Sequence, residues 1–251
     1  MKKTASKRKK WKRLIPLVLL TVALGACSAT NTSSTSTSSS STSKTTTTKT
    51  SDYFTKRDQD ASYDESKATK ISLSGSSAKT SGSGAEVSGS TVTITKAGTY
   101  VLSGSSENVQ IVVKVGNKDK VQLVLNGVTM TGTDAAIVVE NADKTFITLA
   151  KDSKNAISDS ANHKNTDYDA AIYSKDDLTF NGSGSLTVEG KYGNAIESND
   201  DLRITGGTYT IKGYKNALSA NDAINIKDAT MNLTATEDAI HASRRPSGLR
   251  K

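Results

Sequence analysis

From Thr91 onward the chain consists of short apolar runs, several alternating with polar residues, separated by Gly, Asn and Asp. "TVTIT", "TYVLSG", "VQIVVKV", "VQLVLNG" and "TFITLA" are rich in β-branched residues and predict strands. No stretch carries a helical period. Pro16 and Pro246 fall outside this region, which suits a body whose backbone N–H groups serve a ladder. A small residue followed by an aliphatic one recurs at Ala136-Ile137, Ala171-Ile172, Ala195-Ile196, Ala217-Leu218 and Ala239-Ile240, with spacings of 35, 24, 22 and 22. Asp176, Asp200 and Asp222 each follow an Ala of this series by five residues, and Leu178, Leu202 and Ile224 come two later. Self-similarity at a fixed period marks a solenoid. A unit of about 22 residues with three short strands and no helix predicts one coil of a parallel β-helix. The Leu/Asn consensus of leucine-rich repeats is absent, and a β-sandwich would not place like residues in register.

One such coil cannot bury its inward aliphatic residues alone. Stacking coils about 4.8 Å apart pairs every strand above and below and builds a continuous core. Equivalent positions then touch, so Asn194, Asn216 and Asp238 are expected to form a column with amide hydrogen bonds between coils. Asn155 belongs to the irregular 35-residue coil and is expected on another face. That coil holds roughly 13 extra residues, about "SDSANHKNTDYDA", and an insertion in a solenoid emerges as a loop, often on the binding face.

The N-terminus changes the picture of where this body sits. "MKKTASKRKKWKR", then "LIPLVLLTVAL", then Leu24-Gly25-Ala26-Cys27 read as an export signal, 1–26, ending in a bacterial lipobox. Cys27 is the single Cys of 251 residues, so disulfides and thiolate metal sites are excluded. Its expected role is lipidation: an acyl (palmitate-type) anchor at the extracellular face of the bacterial cell membrane, the only membrane contact. A Ser/Thr-rich tract follows, with too little apolar surface to order itself, and residues 27–86 are expected to form a disordered linker. Order is expected over 87–243. The formal charge of +8 is misleading, because eight of the 33 basic residues lie in the signal; the 25 that remain balance 25 acidic ones. Nucleic-acid binding thereby loses its electrostatic support. The basic end 244–251, "RRPSGLRK", breaks the Asp column at Arg244 and is expected to be a non-native, truncated end.

The phrases "AGTYVLSG", "VQLVLNGVTM", "AAIYSKDDLTFNGSGSLTV" and "DDLRITGGTYTI" give the chain a resemblance to a bacterial family of secreted carbohydrate-binding β-helix proteins. That family is related in fold to polysaccharide lyases of the pectate-lyase type. The resemblance implies an all-β fold class: a right-handed parallel β-helix after a disordered linker. It also implies bound calcium and affinity for cellulose or acidic sugars such as polygalacturonate. The chain departs from the family's Asp-Gly-Ile phrase, having "NAI", "NAL" and "DAI" instead.

Two groups of residues follow as candidates. Asp176, Asp177, Asn199, Asp200, Asp201, Asn221 and Asp222 stack at one corner, where carboxylates about 5 Å apart repel. A Ca²⁺ ion between them is one reading; solvated turns, where Asn and Asp are favoured for backbone reasons, are the other. Tyr192, Tyr214, Lys191, Lys215, Asn194 and Asn216 are the candidate carbohydrate contacts. Trp11, lost with the signal, is the only Trp, so polar or ion-bridged contact with acidic glycans is favoured over stacking on crystalline cellulose. A lyase needs a Lys or Arg base, and nothing marks Lys175, Lys191 or Lys215 as one. His163 and His241 are expected at the surface. The function expected is non-catalytic polysaccharide binding by a monomer, with a calcium-dependent lyase and a protein-binding adhesin as alternatives.

Overall fold

The predicted runs become strands. In chain order they are β1 (Thr69–Gly75), β2 (Ser77–Ser81), β3 (Ala85–Ser88), β4 (Thr91–Ile94), β5 (Gly98–Glu107), β6 (Gln110–Lys114) and β7 (Lys120–Thr131). Then come β8 (Ile137–Asn141), β9 (Lys144–Leu149), β10 (Lys154–Ser158), β11 (Ala170–Ser174), β12 (Asp177–Gly182), β13 (Ser185–Gly190) and β14 (Asn194–Ser198). The last are β15 (Leu202–Thr205), β16 (Thr208–Gly213), β17 (Leu218–Ala220), β18 (Ile224–Lys227), β19 (Thr230–Ala235) and β20 (Ile240–Ala242). The computed structural model describes residues 53–243; Cys27, the signal 1–26, the linker as far as residue 52 and the tail 244–251 lie outside the described residues.

Two sheets take up these strands. One contains β18-β15-β12-β9-β7-β10-β13-β16-β19, with β5, β1 and β2 running off β7; the other is β20-β17-β14-β11-β8-β6-β4-β3. Pairing between successive coils is parallel, and the fold is all-β with parallel strands in a curled, β-helix-like stack. The registers are the ones the repeat predicts. Leu178 faces Leu202 and then Ile224; Ile172 faces Ile196 and then Leu218. Ala171, Ala195 and Ala217 are fully buried in the core. Alternation is clean in β16, where Tyr209 and Ile211 point inward while Thr208, Thr210 and Lys212 face solvent. β9 is buried at every position because a second layer covers its outer side.

That layer is the segment from Tyr53 to Ser62. Asp58, fully buried, accepts from the Lys144 ammonium at 3.1 Å and the Thr179 hydroxyl at 3.0 Å. Thr205 and Asn181 donate to its carbonyl, Arg203 donates to the Tyr53 carbonyl, and Lys227 reaches Gln59. The Arg57 guanidinium lies 4.3 Å above the Phe146 ring. Gln122 closes the far end on the Ser62 carbonyl. The segment is a strap across β7, β9, β12, β15 and β18.

Residues 53–86 thus correct the expected boundary of the linker. β1 lies parallel on β5 and β2 antiparallel on β1, while β3 runs antiparallel to β4. These hairpins cover the first coil, whose edge would otherwise stand open. Ile71 and Leu73 of "TKISLSG" alternate into the core. At the other end the last coil is only half buried, with Ile226 36% and Ile240 48% exposed.

Candidate functional site

The corner before β11, β14 and β17 gathers most of the carbohydrate candidates. In successive coils it is built from the inserted loop 159–169, from Lys191-Tyr192-Gly193 and from Tyr214-Lys215. Backbone bonds stack these turns: Asn194 N–H donates to the Asp169 carbonyl, Lys215 N–H to Gly193, and Glu237 N–H to Lys215. Tyr214 is 62% exposed and Lys191 is exposed, so both stand on the corner's outer rim. Asn194 and Asn216 are in the same corner but do not reach solvent, which corrects their expected role as glycan contacts. Asn194 Oδ1 accepts from the backbone and side-chain amides of Asn216, and Asn216 Oδ1 accepts from Asp238 N–H. The amide column exists, and it holds the coils together. Asn155 serves a different corner, accepting from Gly127 and Val128 N–H.

Beside this corner, on the outer face of β11 and β14, lies a carboxyl pair that the sequence did not single out. Glu197 and Asp169 share a hydrogen bond, Asn194 Nδ2 donates to Glu197 Oε2, and Lys215 Nζ sits 3.0 Å from Asp169 Oδ2. Burial and the neighbouring Asp169 charge push the Glu197 carboxyl up to about 7, against the pull of Asn194 and Lys215. The hydrogen bond to Asp169 and its charge hold the Lys215 proton more tightly than usual. Tyr173, raised by burial, stands next to the pair and accepts from Asn199 Nδ2 at 2.8 Å. Tyr168 of the inserted loop packs on Tyr173 with ring centroids 5.1 Å apart, and donates to Glu140. Burial and Glu140 push the Tyr168 hydroxyl up to about 12.

The loop also corrects two expectations. His163 is not a surface residue: its side chain and that of Asp159 are fully buried, with Nε2 3.0 Å from Asp159 Oδ2. The imidazole stacks on Tyr192, centroids 4.3 Å apart and planes 14° apart, so the ring partner of Tyr192 is His163 and not Tyr214. His241 is half exposed, as expected.

The Asp corner is not a bare column of carboxylates. Asp177 Oδ2 lies 3.0 Å from Arg203 Nη1 and 3.2 Å from Lys144 Nζ, and Asp201 Oδ2 lies 2.6 Å from Arg203 Nη2. Asp176 accepts from Ala142 N–H, and burial raises its carboxyl. Asn221 donates to Asn199, and Asp222 N–H donates to the Asp200 carbonyl. Among the described residues no group of three or more His, Cys, Asp or Glu is placed to hold a metal ion. Asp177 and Asp201, two of the expected carboxylate ligands, are neutralised by the protein's own cations and so do not fit the calcium that the resemblance implies.

Chemically the β11–β14 face offers hydroxyls, amides and balanced charges along a repeating surface, which suits a hydroxyl-rich polymer. Lys215 is poorly suited to be the base of a lyase. A base must give up its proton near neutral pH, whereas Asp169 makes Lys215 keep it.

Similarity to known proteins agrees with this surface. A protein from Acetivibrio thermocellus described as a carbohydrate-binding domain-containing protein is 40% identical over 127 residues, 48% of this chain and 44% of the relative. The chain thus spans under half the length of that curated relative. The solved structure of a polysaccharide lyase-like protein from C. thermocellum, a gadolinium derivative, aligns at a TM-score of 0.61 and 25% identity, covering 72% of this chain and 98% of that one. The profile of one family matches residues 88–248, well over half the chain, and by that match the protein belongs to the carbohydrate-binding domain-containing family.

Proposed function

We propose that the domain binds polysaccharide, without cleaving it, along the corner of Tyr192, Tyr214, Lys191 and Lys215 and the adjoining face of β11 and β14. The observation that carries this reading is the stacking of those turns beneath the inserted loop, in a member of a carbohydrate-binding family. Lys191 and Tyr214 at the rim favour an acidic glycan, in which ammonium groups meet carboxylates and the exposed ring meets a sugar face. The proposal does not invoke calcium, because Arg203 and Lys144 already neutralise Asp177 and Asp201. It includes the right-handed winding implied by the resemblance, and attachment through Cys27 to the outer face of the membrane. Gel retardation on polygalacturonate and on cellulose, with calcium and with chelator, tests it. Polygalacturonate should retard the protein equally in both conditions, and Tyr214→Ala should weaken the effect about tenfold. Absence of retardation by either polymer, or an unchanged Tyr214→Ala, defeats the reading. A lyase would instead release unsaturated product that absorbs in the ultraviolet.

A further inference from the structure

The inserted loop opens with Asp159 and His163, two titratable side chains in contact and shut away from solvent. Neither faces the proposed ligand. Asp159 Oδ1 accepts the N–H of Lys191, and the same carboxyl is also bonded by the N–H of Tyr192. His163 covers one face of the Tyr192 ring. A single buried pair therefore holds both the backbone and the ring of the residue at the mouth of the corner.

The hydrogen-bond pattern fixes the pair's proton count. His163 Nδ1 lies 3.0 Å from the carbonyl oxygen of Tyr168, which only accepts, so Nδ1 carries a hydrogen. Nε2 then meets Asp159 in one of two equivalent ways. Either the imidazolium donates to a carboxylate, or a carboxylic acid donates to a neutral ring. Both forms contain one shared proton. When it leaves, a carboxylate faces the lone pair of Nε2 and the contact becomes repulsive. The other groups around the pair offer no replacement: the turn from β13 to β14 presents backbone N–H groups, and the Lys191 ammonium is directed to Glu189, 3.8 Å away. The N–H of Asp159 itself donates to the Glu189 carbonyl.

We infer that Asp159 and His163 are positioning residues, which set the Tyr192 ring and the Lys191–Tyr192 backbone for glycan contact only while they hold their shared proton. This rests on the corner being the glycan site. Burial, which raises the Asp159 carboxyl, acts in the same direction by favouring the protonated pair.

The test is the pH profile of binding to immobilised polygalacturonate by the full chain and two variants. Asp159→Ala removes the acceptor for two backbone N–H groups and should weaken binding at least about tenfold. Asp159→Asn keeps an acceptor for those groups and donates its amide hydrogen to Nε2, reproducing the protonated pair without titrating. It should bind like the unaltered protein at the lower pH and lack the alkaline decline that is expected of the unaltered protein. Asp159→Ala binding as well as the unaltered protein, Asp159→Asn as weak as Asp159→Ala, or a shared pH profile for the Asn variant and the unaltered protein would each overturn the inference. Failure of the unaltered protein to bind at any pH is a separate result, which removes the glycan site itself and this inference with it.

Discussion

Glu197 shows how one carboxyl couples the face to pH. Folding half-buries it beside Asp169, so it keeps a proton that an unfolded chain releases near its ordinary value of 4.5. Between there and about 7 the folded protein binds more protons than the unfolded one, and stability falls as pH rises through that window. The shift amounts to roughly 3 kcal/mol. Glu197→Gln should remove this slope, so that melting temperatures of the variant and the unaltered protein diverge between about pH 5 and about pH 7. Parallel curves would contradict the assignment. The pair was hidden in the sequence because its members come from a loop end and a strand of the next coil. The Asn194–Asn216 column was legible, since both residues precede the same Ala–aliphatic mark. His163 was not, because Tyr192, 29 positions later, supplies the ring that covers it. The Asp column misled for a related reason: spacing revealed the carboxylates, while the Lys144 that pairs with Asp177 comes from a coil earlier.

At the scale of elements, strands of six residues must end and turn sharply to begin the next face. Gly213 ends β16 with its Cα so near the following turn that a Cβ would lie 1.9 Å from the Asn216 carbonyl oxygen. Gly190 occupies the same place one coil earlier, 2.1 Å from the Asn194 oxygen. The obstacle is backbone and cannot rotate away. Gly213→Ala should therefore cost about 1–3 kcal/mol, with the melting temperature falling by several degrees. Differential scanning calorimetry would show it, and an unchanged melt would mean the turn yields more easily than its geometry indicates. The strands of the repeat were readable from alternation and period. β1 to β3 were not read, although "TKISLSG" alternates as well, because their Ser- and Gly-rich surroundings match the composition of the linker before them.

For the whole molecule the strap is the feature that joins distant parts of the sequence. Asp58 is held below its ordinary 3.8: burial opposes this, but the Thr55 N–H and hydroxyl and the Lys144 ammonium outweigh it. The stability it supplies is present above that value and disappears as pH falls below it. Asp58→Ala takes one of two carboxylates from the buried Lys144 and the acceptor from the Thr179 hydroxyl, at a cost of about 3 kcal/mol. At roughly 2–4 °C for each kcal/mol, the melt should drop on the order of 10 °C at neutral pH, and the gap should narrow in acid. Equal melts at neutral pH would show that the strap adds nothing. The strap's bonds also decide where tension enters the protein. Residue 53 leaves beside Arg203, deep in the stack, and not at the hairpins that begin it. A tug on the preceding chain is shared sideways among several rungs at once, so the coils resist being peeled off one after another like tape from a roll.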